Sequence, residues 1–103
     1  MGNDGSGGNV RVYYVGMVRR AVGTNVDCVR LDGAATLGLL LGLLADRYGA
    51  AFRNHVFDGR ELSRASNVFI DGLNCRSLGG LDAPLDGARE VEVIVFGPPA
   101  MGG

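Results

Sequence analysis

The twelve residues LGLLLGLLADRY, Leu37 to Tyr48, hold the one strong helical pattern of this chain, and the fold follows from what lies on either side of them. Leu37, Leu40, Leu41 and Leu44 recur at i, i+3, i+4 and i+7, which lines one helical face with leucine. Thr36 offers a hydroxyl to cap the first turn, and Gly49 is suited to the backbone conformation in which helices end. Gly38 and Gly42 each cost about 1 kcal/mol of helix propensity relative to alanine, so another segment is expected to pack closely against the helix there. The longest apolar stretch, Leu37 to Ala45, falls well short of the roughly 20 residues that a bilayer span requires.

Before the helix, VRVYYVGMV places Val10, Val12 and Tyr14 on one side and Arg11, Tyr13 and Val15 on the other, the alternation of a strand. Val22 to Asn25 reads as a slightly wide turn, and VDCVRL, Val26 to Leu31, as the returning strand of a hairpin. After the helix, Ala50 to Ser66 shows no sustained period and reads as a surface excursion anchored by Phe52, Val56, Phe57 and Leu62. Asn67 to Asp71 is a short strand, Gly72 a turn, and Asn74 to Arg76 a brief edge strand; Leu81 to Gly87 is a tight turn or a single helical turn. EVEVIVF, Glu90 to Phe96, closes the pattern with Glu90 and Glu92 on one face and Val91, Val93 and Val95 on the other.

The order β, β, α, β, β, β with a single helix admits one compact arrangement. An antiparallel hairpin is followed by a right-handed helical crossover over one sheet face, and the last strand inserts beside the first. This is an α+β fold of β-grasp architecture, a mixed sheet of about five strands with one main helix packed on one face. Residues 1–9 are expected to form a flexible tail, 10–97 the domain, and 98–103 an extended tail. Val10, Val12, Tyr14, Leu37, Leu40, Leu41, Leu44, Val91, Val93 and Val95 should face inward. Cys28 and Cys75 should lie at opposite sheet edges, beyond the roughly 4.4 to 6.8 Å between α-carbons that a disulfide needs.

Composition narrows the chemistry. The formal charge is -1, so no general field draws the chain to nucleic acid or to an anionic membrane. All ten basic residues are arginine, which excludes a lysine Schiff base, a P-loop lysine and an isopeptide bond formed on the chain's own side chains. The N-terminus has no signal-peptide pattern, and the protein is expected to be cytoplasmic. His55, the one histidine, falls in the expected surface excursion, and two distant cysteines offer no zinc-ligand spacing, so no metal site is expected. Gly5 to Gly8 lacks the strand and lysine of a phosphate loop, and Asp82 and Asp86 read as turn formers.

The end of the chain is different. In Pro98-Pro99-Ala100-Met101-Gly102-Gly103 the prolines stiffen the backbone and remove two donors, so the sheet must stop and the chain project outward. Gly102 and Gly103 carry no side chain to block a narrow channel, which leaves the terminal carboxylate accessible to another protein's active site. Alone, the pattern also fits an ordinary frayed end.

Together, VRVYYVGMVRRAVGTN, AATLGLLLGLL, NVFIDGLNCRSLGGLDAPLDG and PPAMGG resemble the MoaD/ThiS sulfur-carrier family of small ubiquitin-like β-grasp proteins. Within it the resemblance is strongest to the branch that forms the small subunit of molybdopterin synthase. It implies that the chain is a substrate rather than an enzyme on its own: an adenylating enzyme uses ATP to activate Gly103, and a persulfide sulfur donor converts it to a thiocarboxylate. The acceptor would be an enzyme such as the large molybdopterin synthase subunit, and the carrier itself would bind no cofactor. The resemblance also implies partner contacts at Pro98, Pro99, Ala100 and Met101, and at Arg19 in its VR..VGT motif. Ubiquitin-like conjugation through Gly103, or sulfur delivery to cysteine, thiamine or a secondary metabolite, are the alternatives. The alternation of the last strand adds a docking face: with its valines inward, Ile94 and Phe96 point outward beside Tyr13 and Val15. A bulge before the prolines would instead turn Phe96 into the core.

Overall fold

The protein, seen in a computed structural model that describes residues 7–96, is built on a five-stranded sheet whose order is β2-β1-β7-β5-β6. Strand β1 (Gly7–Gly16) pairs antiparallel with β2 (Val26–Asp32), with Val10 opposite Val29 and Tyr13 opposite Val26. On its other side β1 runs parallel to β7 (Glu90–Val95), with Val12 opposite Val91 and Tyr14 opposite Val93. Strand β7 pairs antiparallel with β5 (Ser66–Ile70), and β5 with the two-residue edge strand β6 (Leu73–Asn74). The expected ubiquitin-like β-grasp fold is therefore found, with the last strand inserted between the first and the third long strands.

Helix α2 spans Leu37–Tyr48, and the Thr36 hydroxyl accepts the Leu39 N–H as its cap. Its leucine face covers the sheet, and all ten side chains expected to face inward are buried, Leu37, Leu40, Leu41, Val12, Val91, Val93 and Val95 completely. The two helix glycines differ. A methyl group on Gly38 would come within 3.1 Å of the Leu81 carbonyl oxygen, so close packing explains that residue. Nothing lies within 4 Å of the same position on Gly42, and packing does not explain it.

Four segments depart from the sequence reading. Strand β1 begins at Gly7, so its ladder with β2 takes in residues assigned to the tail, Gly8 opposite Leu31 and Asn9 opposite Arg30. Met17 to Val22 is a helix, α1, where a continuing strand and wide turn were expected; Val18 is its buried anchor. The excursion Ala50 to Ser66 is ordered as helix α3 (Ala50–Val56) followed by a small hairpin, β3 (Phe57–Asp58) and β4 (Glu61–Leu62). Phe52 and Val56, four residues apart, anchor α3 in the core. Cys75 is not in the edge strand but buried in a 3-10 turn, Cys75–Leu78, whereas Cys28 is exposed on β2 at the other edge; both are free.

A polar knot ties the helical layer to edge strand β2. Tyr14 and Tyr48 both donate to the Asp27 carboxylate, Tyr14 at 2.8 Å, and Arg47 approaches the same oxygen at 4.0 Å. Phe52 packs beside both rings, 6.4 Å from Tyr14 and 6.2 Å from Tyr48 between centroids. Burial first, and then the hydrogen bond to Asp27, holds both phenols above their ordinary value.

Three outcomes follow from this packing. Leu41→Ala should cost about 2 to 5 kcal/mol in chemical denaturation because the leucine is fully buried. Gly42→Ala should instead gain about 1 kcal/mol, since it adds helix propensity in open space. Phenols whose pKa is raised by folding contribute stability that is complete below the unfolded value of about 10 and is lost as pH climbs above it. Unfolding free energy should therefore fall above about pH 10, and Tyr14→Phe should flatten that fall.

Candidate functional site

The site begins at the end of the last described strand. Strand β7 ends at Val95, opposite Gly16, the last residue of β1. Gly16 has a positive φ of 84°, and a methyl group on it would lie 2.1 Å from the Val95 carbonyl oxygen. No residue with a side chain fits there without moving the end of β7. Gly16 thus sets how closely the two strands approach at the point where the chain leaves the sheet. The sequence reading passed over it, treating it as an interior strand residue; a glycine inside an otherwise β-rich run was the available signal.

Phe96, the last described residue, is 65% exposed. The register of β7 is continuous from Arg11 opposite Glu90 to Gly16 opposite Val95, with no bulge to turn Phe96 inward. Of the two orientations open for Phe96, the outward one is found. Pro98, Pro99, Ala100, Met101, Gly102 and Gly103 lie outside the described residues.

The sheet face away from α2 brings the other expected residues together. Val15 is exposed opposite half-buried Ile94, and Tyr13 sits one step along β1 on the same face. Two further apolar residues were missed: Val26 opposite Tyr13 on β2, 40% exposed, and Phe69 on β5, half-buried opposite Glu92. Phe69 was legible, because its neighbours Val68 and Ile70 face inward and so turn it outward. Arg19 is exposed on α1, one residue beyond buried Val18. With Arg20, Gly23, Thr24 and Asn25 it lines an open cleft of about 300 Å³ rather than the sheet face itself.

Chemistry among the described residues is sparse. His55 lies in the last turn of α3, not in a loop, and its Nδ1 is buried without a hydrogen-bond partner. Among the described residues, no three His, Cys, Asp or Glu side chains form a group able to hold a metal ion, and no helix is long and apolar enough to cross a membrane. A larger cleft of about 540 Å³ opens at the other end of the sheet between Gly8, Leu31, Gly33, Leu85 and Gly87, with Asp86 as its one charged residue. What the described residues offer is a rigid strand end, an apolar sheet face and a mount for whatever follows Phe96.

These features define a small ubiquitin-like β-grasp protein with its C-terminal strand at the centre of the sheet. No protein-family model and no curated protein matches the chain. Solved structures do. Small archaeal modifier protein 1 (SAMP1) of Methanosarcina acetivorans is 30% identical, with a TM-score of 0.68 over 96% of this chain and 100% of that one. SAMP1 of Haloferax volcanii is 26% identical, with a TM-score of 0.71 over 93% and 100%. A chain in the BexX/CysO complex of Amycolatopsis orientalis, 23% identical, shares the fold with a TM-score of 0.68 over 88% of this chain and 99% of that one. The chain belongs to the MoaD/ThiS-like family of ubiquitin-like β-grasp carriers and modifiers.

Two substitutions separate the mount from the surface. Phe96→Ser should change unfolding free energy by no more than about 0.5 kcal/mol, as expected of an exposed side chain. Gly16→Ala should cost about 1 to 3 kcal/mol or more, since it combines backbone strain with a clash against Val95. Equal effects of the two in thermal denaturation would show that the strand end is not the constraint.

Proposed function

We propose that this chain is a sulfur carrier whose Gly103 carboxylate is adenylated by a partner enzyme and converted to a thiocarboxylate. The observation that carries the reading is the order of parts: a central strand ending at Val95, then two prolines, then Gly102-Gly103. A carboxylate is a poor electrophile because loss of oxide is prohibitive. Attack of its oxygen on the α-phosphorus of ATP expels pyrophosphate and leaves an acyl-adenylate, whose AMP departs readily. A persulfide sulfur then takes the place of AMP, and a thiol cleaves the resulting sulfur–sulfur bond, leaving the thiocarboxylate and a disulfide. Insertion of the tail into an acceptor enzyme supplies the proximity that free sulfide lacks. The resemblance to the molybdopterin synthase small subunit favours molybdopterin biosynthesis, with the large synthase subunit as acceptor. In this reading Gly102 passes the narrow part of the partner's channel, Pro98 to Met101 contact the partner along it, and the outer sheet face and Arg19 meet the partner's surface.

A second reading has its own support in the likeness to small archaeal modifier protein 1: conjugation of Gly103 to a lysine of another protein. The two share activation and differ in the nucleophile that takes the acyl group. Incubation with a cognate activating enzyme, ATP and a persulfide donor should replace one terminal oxygen by sulfur in the intact mass. Gly102→Val, or removal of Gly103, should abolish that exchange and leave the melting temperature unchanged. Amide-linked adducts on other proteins, with no oxygen-to-sulfur exchange, would establish the modifier reading instead.

A further inference from the structure

The outer sheet face holds a feature that its apolar character does not explain. Strand β7 is central, and at the middle of its outward side stands Glu92, exposed, with Tyr13 directly opposite on one neighbouring strand and Phe69 on the other. Among the described residues Glu92 has no ion pair; the ion pairs found are Arg30 with Asp32, Arg47 with Asp27 and Arg53 with Asp46. Arg11, the one cation on β1, is exposed and stands opposite Glu90, and its charged form is favoured first by the neighbouring Tyr13 side chain and to a lesser degree by Glu90. Glu92 therefore projects from the strand flanked on both sides by strands that carry an aromatic residue opposite it, with Val15 and Ile94 paired on the next step of the same face.

We infer that this face docks a protein surface presenting a basic side chain, arginine above all, which pairs with Glu92 while apolar residues around it cover Tyr13, Val15, Ile94 and Phe69. The argument is one of charge complementarity. Covering the apolar residues removes water from Glu92 as well, and a carboxylate stripped of water without a cation costs more than the apolar contact returns. A guanidinium meets the carboxylate with two parallel hydrogen bonds and stacks on the flanking rings through its planar faces, which an ammonium does less well. An acidic or purely apolar partner is rejected by the same residue, so Glu92 selects the partner as well as binding it.

Two measurements test this, one of which rests on the carrier reading and one of which does not. In ATP–pyrophosphate exchange by the adenylating enzyme that acts on this chain, Glu92→Arg should raise KM for the chain at least about 10-fold, with kcat little changed. Glu92→Gln should have a smaller effect in the same direction, and Glu90→Arg less still. KM values within a factor of about two of the parent for both Glu92 variants would overturn the inference. Exchange absent even with the parent chain would sink the carrier reading, and the second measurement then decides alone. There the isotopically labelled chain is titrated by NMR with the peptides acetyl-Leu-Arg-Leu-amide and acetyl-Leu-Glu-Leu-amide. The arginine peptide should shift the amides of Tyr13, Phe69, Glu92 and Ile94, the glutamate peptide should not, and Glu92→Gln should erase the difference. Equal shifts from both peptides, or shifts centred elsewhere, would overturn it.

Discussion

The parallel pairing of β1 with β7 is the constraint on which the rest depends. It joins the two ends of the described chain across the middle of the sheet, so the last strand is held on both sides, by β1 and by β5. A strand in this position cannot fray without opening the core, because Val91, Val93 and Val95 are completely buried. The last described strand is therefore held on both sides up to its end, at a point fixed by the close approach of Gly16 to the Val95 carbonyl. A parallel pair needs a long connection, and here α2 and α3 carry the chain from β2 to β5 across the inner face before β7 can return beside β1. The other face is left open, which is why one sheet can both stabilise the domain and present a surface.

How much of this was legible depended on the length of each signal. Helix α2, twelve residues with a cap at Thr36 and a leucine repeat, was readable to its last residue. The inward set was readable because strict alternation in β1 and β7 leaves two faces, and the one carrying Val91, Val93 and Val95 has to be the core. Helices α1 and α3, of six and seven residues, span fewer than two turns, so no periodicity could build up. In α1 the valines at 18 and 22 extended the β-like composition of the strand before it, and the true break was Gly16. In α3 the pair Phe52 and Val56 was noticed as an anchor, but Gly49 was read only as the end of a helix. It has a φ of 83° and closes α2 while opening α3, so one glycine turns the chain between two helices.

The site was legible in a different way. Its outer face followed from the alternation that gave the core, since the residues between buried valines must point outward. Gly16 could be noticed as a glycine in a β-rich run, but its role could not, because what singles it out is a contact with Val95, a residue far along the chain that only the folded sheet brings near. The same holds for Asp71, the one described residue other than glycine with a positive φ. Its carboxylate accepts the backbone N–H groups of Arg89 at 3.1 Å and Glu90 at 2.9 Å, fixing the start of β7 as Gly16 fixes its end. Strand β7 is thus positioned at both ends by contacts that sequence pattern does not encode.

The carrier and modifier readings place the same demand on this architecture. Either requires the activating enzyme to hold a folded domain while working on a terminus several residues away, so recognition and chemistry are separated along the chain. The separation lets the outer face vary with the partner while Gly102-Gly103 stays simple, and it explains why no catalytic constellation is needed within the described residues. What differs between the readings is the nucleophile, and there the composition matters. With arginine at all ten basic positions, the chain carries no side-chain amine to attack an activated Gly103, its own or another copy's. As a carrier it would keep its acyl group for sulfur; as a modifier it would be added singly and end any chain it joined. Arginine keeps the positive charge and supplies no amine nucleophile, so the composition is compatible with both readings and excludes only polymers linked through lysine side chains of the chain itself.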